Sequence, residues 1–578
     1  MQKYCAENSK LFAEILVLAL LLLLSACAPI SQTKQVSLQD KNNKQKGIEW
    51  KQSLNEAVEI AKADNKSLML VFYVSFSRLD KIFSYPDIAK LAQEFVCLKL
   101  GSSQNKLINK YNITEFPTFI FTDSRGGEYD RILGYPSKLS FENKLKEALI
   151  PADVEYNIQI DINKNLALIE CTLKNIRQKS LILRLREESV EPISISLRLE
   201  RIKDAENNIT NIWKIDFGTS QMKTFSIKYV ISPLNVLSSV QYSPMYISYV
   251  GDKYGILDGH MLFLEPYDFH LNGKIKVILN LPNGWKALTP WEEESPLTFS
   301  ADYIQEVADS VFCIGQFQSI KREINGKEVY AVYCGLTNIG TELDRKADMV
   351  EQIFKDYIKR FGDFPFKKYI AIYAEHTPDG KYILGSAHGL GFAGPIEMTS
   401  ADTSELTAHE IFHIWNGHIL NQKSPYEVWF KEGFTQYYGY ITPYRVGLYG
   451  KEQFEYHLKT DYQKYLKIYE AGEDYALSKI NEPTARIEKG IKNFIMYSKS
   501  ALVASMMDDE ITKITNGKKN LDDLIRYMLI EYRDKEYRHD DVLKSLNAVT
   551  GNDFTKFFLD FVHGKEKIPL PEKIRQKG

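Results

Sequence analysis

The chain has 578 residues, enough for about four domains at roughly 150 residues each. Hydrophobic residues make up 44% and charged residues 26%, the balance of an ordinary globular protein, which excludes a disordered or fibrous chain and a polytopic membrane protein. Lys+Arg is 73 against Asp+Glu 75, so no basic surplus exists to bind nucleic acid, and six Cys are too few for a small disulfide framework.

Lys3 and Lys10 precede an apolar run from Leu11 to Leu24 that only Glu14 interrupts. The unbroken part, Ile15 to Leu24, is shorter than the roughly 20 residues a bilayer span needs, and suits the core of a secretion signal. It ends in Leu24-Ser25-Ala26-Cys27, which resembles the lipobox of bacterial lipoproteins. That resemblance implies cleavage of residues 1–26, acylation of Cys27, and a membrane anchor in the bacterial cell envelope. Residues 27–46, rich in Gln, Lys, Asn and Ser, read as a flexible tether. Ala28 and Pro29 bear no resemblance to an inner-membrane retention signal, which favours the outer membrane where a cell has one.

Residues 47–150 form the next region. A helical stretch, Leu54 to Ala63, leads into Leu68-Met69-Leu70-Val71-Phe72-Tyr73-Val74, a continuous apolar run of the kind buried on both faces of a sheet. Phe95 to Leu98 and Phe116 to Phe121 predict further strands, the last opening on Pro117, and a turn at Ser124 to Gly127 precedes another. This order resembles the thioredoxin-like α/β fold, which implies a cis peptide before Pro117. Where that fold carries its C-x-x-C pair, this chain reads Ser77-Arg78-Leu79-Asp80, so thiol–disulfide exchange lacks both its nucleophile and its resolving thiol. Cys97 lies inside an apolar strand and reads as a structural thiol. The region is expected to be a non-redox binding or spacer module with a protein partner.

Residues 151–325 alternate apolar and polar side chains at Val154 to Ile162, Ile193 to Leu199, Phe225 to Ile231 and Ile275 to Leu281. That is the period of half-buried strands and predicts a β-sandwich. His260 and His270 lie near Asp258 and Asp268, in structural roles on spacing alone. Cys313 and Cys334 fall on strands, as either a disulfide or two buried thiols.

The chemistry lies in residues 326–578. Thr407-Ala408-His409-Glu410-Ile411-Phe412-His413 places two His four apart, so on a helix they share one face and can offer imidazole to a single Zn²⁺, while Glu410 is rotated off that pair. Asp402 with Glu405 resembles a capping box that would start this helix. Eighteen residues separate His413 from Glu432, in Trp429-Phe430-Lys431-Glu432-Gly433. This spacing resembles the gluzincin metallopeptidases, which implies that Glu432 on a second helix is the third ligand. Three protein ligands leave the fourth position of zinc open, as catalysis requires. Met496-Tyr497-Ser498-Lys499-Ser500-Ala501 resembles the Tyr-x-Lys-Gly-Ala segment of the aminopeptidase N family, with Tyr497 implied as donor to the developing oxyanion.

Residues from about 151 to 570 resemble the glycyl aminopeptidase family within the same clan, through His409 to Asn416, Ala301 to Tyr303, Asp309 to Phe317, Gly551 to Phe554 and Phe561 to Gly564. The expected architecture is thus multidomain α+β: a thioredoxin-like domain, a β-sandwich and a thermolysin-like catalytic domain with a helical C-terminal part. One departure bears on specificity. Aminopeptidases of this clan hold the substrate's amino terminus with a strand Glu, and this chain reads Gly385-Ser386-Ala387-His388-Gly389 there. Imidazole does not bring an ammonium group the negative charge of a carboxylate. Glu397 lies only 12 residues before His409, too few for the intervening strand. Residues 385–389 are expected to pair with extended peptide substrate as an edge strand. Aminopeptidase and endopeptidase both stay open, and a catalytically silent, lipid-anchored scaffold is the rival reading. The expected reaction is peptide-bond hydrolysis with one Zn²⁺ per chain on His409, His413 and Glu432, Glu410 as general base, and no nucleic-acid partner.

Overall fold

The computed structural model describes residues 48–575 apart from 179, 186–192, 195–199, 204–208, 217–222, 238–244, 267–270, 336, 384, 388–389, 397–399, 483–484 and 534. The lipobox with Cys27, and His270, Leu197, Leu199, His388, Gly389 and Glu397, lie outside the described residues. From Glu49 onward the chain clusters as one compact unit. No helix among the described residues is long and apolar enough to cross a membrane.

The apolar run at Leu68 becomes an interior strand because it has no polar face to leave in water. Strands β1 (Trp50–Lys51), β2 (Leu68–Tyr73), β3 (Val96–Gly101), β4 (Thr118–Thr122) and β5 (Glu128–Leu133) form a sheet in the order β1-β3-β2-β4-β5. The first three are parallel, β4 runs antiparallel to β2, and β5 runs antiparallel to β4. Leu68 to Phe72 are fully buried. Helix α1 (Leu54–Asp64) starts at Ser53, whose hydroxyl accepts the Glu56 amide at 3.2 Å, and ends on Asn65 in the left-handed region. The Phe116–Pro117 peptide is cis.

The period-two segments become strands as their pattern dictates. In β6 (Val154–Asp161) the residues Val154, Tyr156, Ile158 and Ile160 point inward, and β6 pairs with β7 (Leu166–Ile176). Strands β8 (Lys223–Ile231) and β10 (Ile275–Asn280) belong to the same seven-stranded sheet, while β9 (Tyr254–Asp258) and β11 (Val311–Gly315) belong to a six-stranded sheet. The two share a core with a four-stranded sheet. Only Ile193–Ser194 of the predicted strand at 193–199 is described as strand. Cys313 and Cys334 are both buried free thiols, which settles that alternative. His260 Nε2 meets Asp309 Oδ1 at 2.9 Å in a structural contact.

A third sheet carries the site. It runs β12 (Gln318–Ile324), β13 (Lys327–Cys334), β14 (Lys368–Ala374), β16 (Gly391–Pro395), β15 (Gly385–Ala387). Strands β13, β14 and β16 are parallel, and β15 is an antiparallel edge with Gly385 opposite Ala393 and Ala387 opposite Gly391. A side chain at Gly391 would lie 2.5 Å from the Ile370 carbonyl, so only glycine fits that crossing. One face of the sheet, with Ile370 and Ile372, packs on Ile256 and Val311 of the preceding region. The other is covered by helices, first α2 (Thr341–Phe361), whose Leu343, Ala347, Val350, Phe354, Tyr357 and Phe361 recur at helical spacing and are buried.

Candidate metal centre

Two helices supply the site. Helix α3 (Ser400–Phe412) crosses α4 (Val428–Arg445), and Gly439 of α4 lets them approach: a Cβ there would sit 3.3 Å from both the Glu405 carbonyl and His409 Cβ. Tyr357 of α2 donates to the Ala408 carbonyl at 2.9 Å, fixing α3 one residue before the first His.

The capping box predicted at Asp402 does not form. Helix α3 already includes Ser400, so Asp402 stands within its first turn, where a carboxylate still meets the positive end of the helix. Glu405 is drawn elsewhere by tertiary partners: Gln436 Nε2 donates to it at 2.5 Å and His457 Nδ1 lies 3.2 Å away. Burial, then Asp461 nearby, push the Glu405 carboxyl up to about 8.

His409, His413 and Glu432 come together, all buried. The two imidazole Nε2 atoms are 3.2 Å apart, and Glu432 Oε2 lies 3.7 Å from His409 Nε2 and 3.3 Å from His413 Nε2. Ligands at 2.0–2.1 Å from a tetrahedral zinc stand about 3.3 Å from one another, so the three donors fit that ion. His413 Nδ1 donates to the Asn416 carbonyl at 3.2 Å, which leaves the Nε2 lone pair facing the centre. His409 Nδ1 is buried without a hydrogen-bond partner among the described residues.

The electrostatics ask for a cation. Burial raises the Glu432 carboxyl, but His413, the imidazole hydrogen bonds and Lys431 outweigh it and hold the group well below its ordinary value. Burial lowers His409, and Glu432 with Glu410 outweigh it in turn, so its pKa is raised. A divalent ion satisfies the carboxylate.

Asn416 was not singled out from the sequence, yet its side chain ties the end of α3 to the start of α4. Its Nδ2 donates to the carbonyls of Phe430 at 3.1 Å and Lys431 at 3.0 Å. Its signal in the sequence was its place three residues after His413, at the end of the His409 to Asn416 segment that carries the family resemblance.

Tyr497 lies in a π-helical turn, Ile495–Lys499, between α6 (Lys489–Phe494) and α7 (Ser500–Ile514). Here helix α5 (Lys451–Glu470) intervenes between α4 and α6 in the chain. The Tyr497 ring centroid is 6.0 Å from that of His409. Glu432, then burial, then Glu410 raise the phenol well above its ordinary pKa, so it stays a donor. Glu410 is half-buried, and its charge reaches both His409 and Tyr497.

Strand β15 presents its outer edge with no further strand paired to it among the described residues. Away from this centre, Ser77, Arg78 and Asp80 are exposed on the short helix Ser77–Phe83, and Leu79 is buried. The Cys97 thiol donates to the Ala92 carbonyl at 3.1 Å, and burial pushes its pKa up to about 12.

Residues 396–561 match the peptidase family M1 domain, a span that holds all three ligands, Glu410 and Tyr497. Residues 200–316 match the peptidase M61 N-terminal domain. No curated protein is matched by the chain. Among solved structures, the fold is similar to an aminopeptidase N family protein from Idiomarina loihiensis, with 18% identity, 73% of this chain and 78% of that chain covered, and a TM-score of 0.55. It is also similar to the M1 zinc metallopeptidase from Deinococcus radiodurans, with 14% identity, 74% and 96% covered, and a TM-score of 0.50. A mutant of that enzyme bound to a Tyr-Ser-Ala substrate aligns with 14% identity, 73% and 96% covered, and a TM-score of 0.50.

Proposed function

Taking the chain as a zinc metallopeptidase with its metal site at His409, His413 and Glu432, we propose that it is an aminopeptidase that hydrolyses peptides lying extended along β15. The observation that carries this reading is the convergence of two Nε2 atoms and one carboxylate oxygen within 3.2–3.7 Å. Zinc, when bound, supplies a Lewis acid that polarises the scissile carbonyl and lets water ionise near neutral pH.

The chain's own residues do the rest. Glu410 takes the proton from the attacking water and hands it to the leaving nitrogen. The Tyr497 hydroxyl donates to the carbonyl oxygen as negative charge builds there. The outer backbone edge of Gly385 to Ala387, with no further strand paired to it among the described residues, offers hydrogen bonds to an extended chain, which aligns the scissile bond over the centre. Aminopeptidase action is supported by the M1 match and by the fold shared with an aminopeptidase N family protein. Matched peptides with free and blocked amino termini, each assayed with and without a chelator, test the reading. Hydrolysis of the free series alone, lost with chelator, is expected. Equal cleavage of both series would make the enzyme an endopeptidase, and chelator-insensitive cleavage would remove the metal from the mechanism.

Residues 47–150 we assign to a thioredoxin-like module without redox chemistry, serving to bind a protein partner. The sheet order β1-β3-β2-β4-β5 and the exposed Ser77-Arg78 in place of a thiol support this. The Leu24-Ser25-Ala26-Cys27 motif supports export and a lipid anchor on Cys27 in the bacterial envelope. Cys27→Ala is then expected to move the protein from the membrane fraction to the soluble one and to abolish labelling by a fatty-acid probe.

A further inference from the structure

Tyr497 is presented by an uncommon piece of backbone. A single π-helical turn inserts one residue into a helix, and the side chains on either side of it lose the register of a straight helix. Something must therefore hold residues 495–499 against rewinding. Ser500 does part of this: its hydroxyl donates to the Ile495 carbonyl at 2.8 Å, and its amide donates to the same oxygen.

Lys499 does more. It lies two positions beyond Tyr497, and so on the opposite side of the turn. Its ammonium group uses all three hydrogens, on Asp474 Oδ1 at 2.7 Å, Asp474 Oδ2 at 2.9 Å and the Tyr475 carbonyl at 2.7 Å. Lys499 is 1% and Asp474 4% exposed, so neither charge has water to fall back on. Asp474 belongs to the loop after α5, which makes the pair a link from the π turn to a separate part of the chain. Facing Ser500 on another side is Gly433, the neighbour of Glu432. A Cβ on Gly433 would lie 2.0 Å from Ser500 Cβ, so the metal-ligand helix and the base of the π turn touch backbone to side chain.

A buried ion pair adds little net stability over apolar groups of the same volume, but each charge is satisfied in one geometry only. We propose that Lys499 and Asp474 are a positioning pair for Tyr497: they fix the π turn against α4 so that the phenol faces His409, and they act on hydrolysis through that hydroxyl alone. This rests on Tyr497 as the oxyanion donor.

The test is a double-mutant cycle with a structural readout, made on the full chain loaded with zinc. The substrate is whichever peptide of the free-end and blocked-end series the wild type cleaves fastest. Lys499→Met is expected to keep one zinc per chain, to leave KM within about 2-fold, and to lower kcat on the order of 10- to 100-fold. The same substitution in a Tyr497→Phe background is expected to lower kcat no further. A crystal structure of Lys499→Met should show the Tyr497 ring withdrawn from His409 beyond the 6.0 Å centroid separation of the wild type. An equal fall in kcat in both backgrounds, or an unmoved Tyr497 ring, overturns the proposal. Wild-type kcat for Tyr497→Phe alone would instead overturn the oxyanion role, and the ring position would still decide whether the pair positions Tyr497. Asp474→Asn keeps the volume of the pair and carries the same two readouts if Lys499→Met does not fold.

Discussion

Two regions of this chain both set helices against a sheet, and among the described residues the second brings metal-binding side chains together. After β2, where the proposed thioredoxin-like module would carry a thiol pair, Ser77, Arg78 and Asp80 face solvent and Leu79 packs inward. The one cysteine nearby in the sheet, Cys97, is buried and held protonated by a pKa pushed up to about 12. At the end of α3 the opposite holds: His409 and His413 are buried, with their Nε2 atoms 3.7 Å and 3.3 Å from Glu432 Oε2. The first region rests on apolar strands, whereas the second is framed by buried charge, with Asp522 and Lys499 close to the core. The lesson is that a fold supplies positions and the side chains there supply the chemistry.

Removing the metal should break the second region completely and leave the first untouched. Glu432→Ala is expected to lose zinc, as measured by metal analysis, and to bring peptide hydrolysis to background. Chelation of the wild type should do the same reversibly, with recovery on added zinc. Next in size is the base: Glu410→Gln should retain one zinc per chain and lower kcat by roughly 10²- to 10⁴-fold. Wild-type turnover in that variant would remove Glu410 from the mechanism.

A stability effect comes third. Asp522 accepts Tyr438 Oη at 2.7 Å and Arg360 Nη1 at 2.7 Å, with Arg445 Nη1 at 3.3 Å, under the ligand helix. Burial raises its carboxyl, but Arg445, Tyr438 and Arg360 outweigh this and hold its pKa below the ordinary value. The folded state thus binds fewer protons than the unfolded one. The stabilisation is present above the unfolded pKa of about 4 and is lost as pH falls below it. Asp522→Asn is expected to lose about 3–5 kcal/mol in denaturant titrations near neutral pH, with the gap to wild type narrowing in acid. A gap independent of pH would show that charge at Asp522 is not what matters. The smallest effect sharpens the contrast from the other side. Ser77→Ala and Cys97→Ala should each leave peptide hydrolysis within about 2-fold of wild type, and the wild type should not reduce an insulin disulfide.

Local patterns carried much of this structure in the sequence. The buried run at Leu68 and the alternation at Val154 to Ile160 became strands because burial on two faces or one is written in side-chain order. His409 and His413 share a helical face for the same reason. The capping box failed because the helix already includes Ser400, which puts Asp402 inside its first turn, and Glu405 is held by Gln436 of the neighbouring helix. Asn416 was passed over because its bonds run to Phe430 and Lys431, on a helix whose approach no local pattern describes.

The ligand types, their intervals and the absent thiol pair were fixed by the order of residues, since helix and strand periods act over a few positions. That Glu432 arrives 3.3 Å from His413, that Cys97 is sealed off, and that Lys499 finds Asp474 were decided by packing. Those contacts depend on which helices a glycine lets touch and which charges are shut away from water, and both are properties of the assembled core.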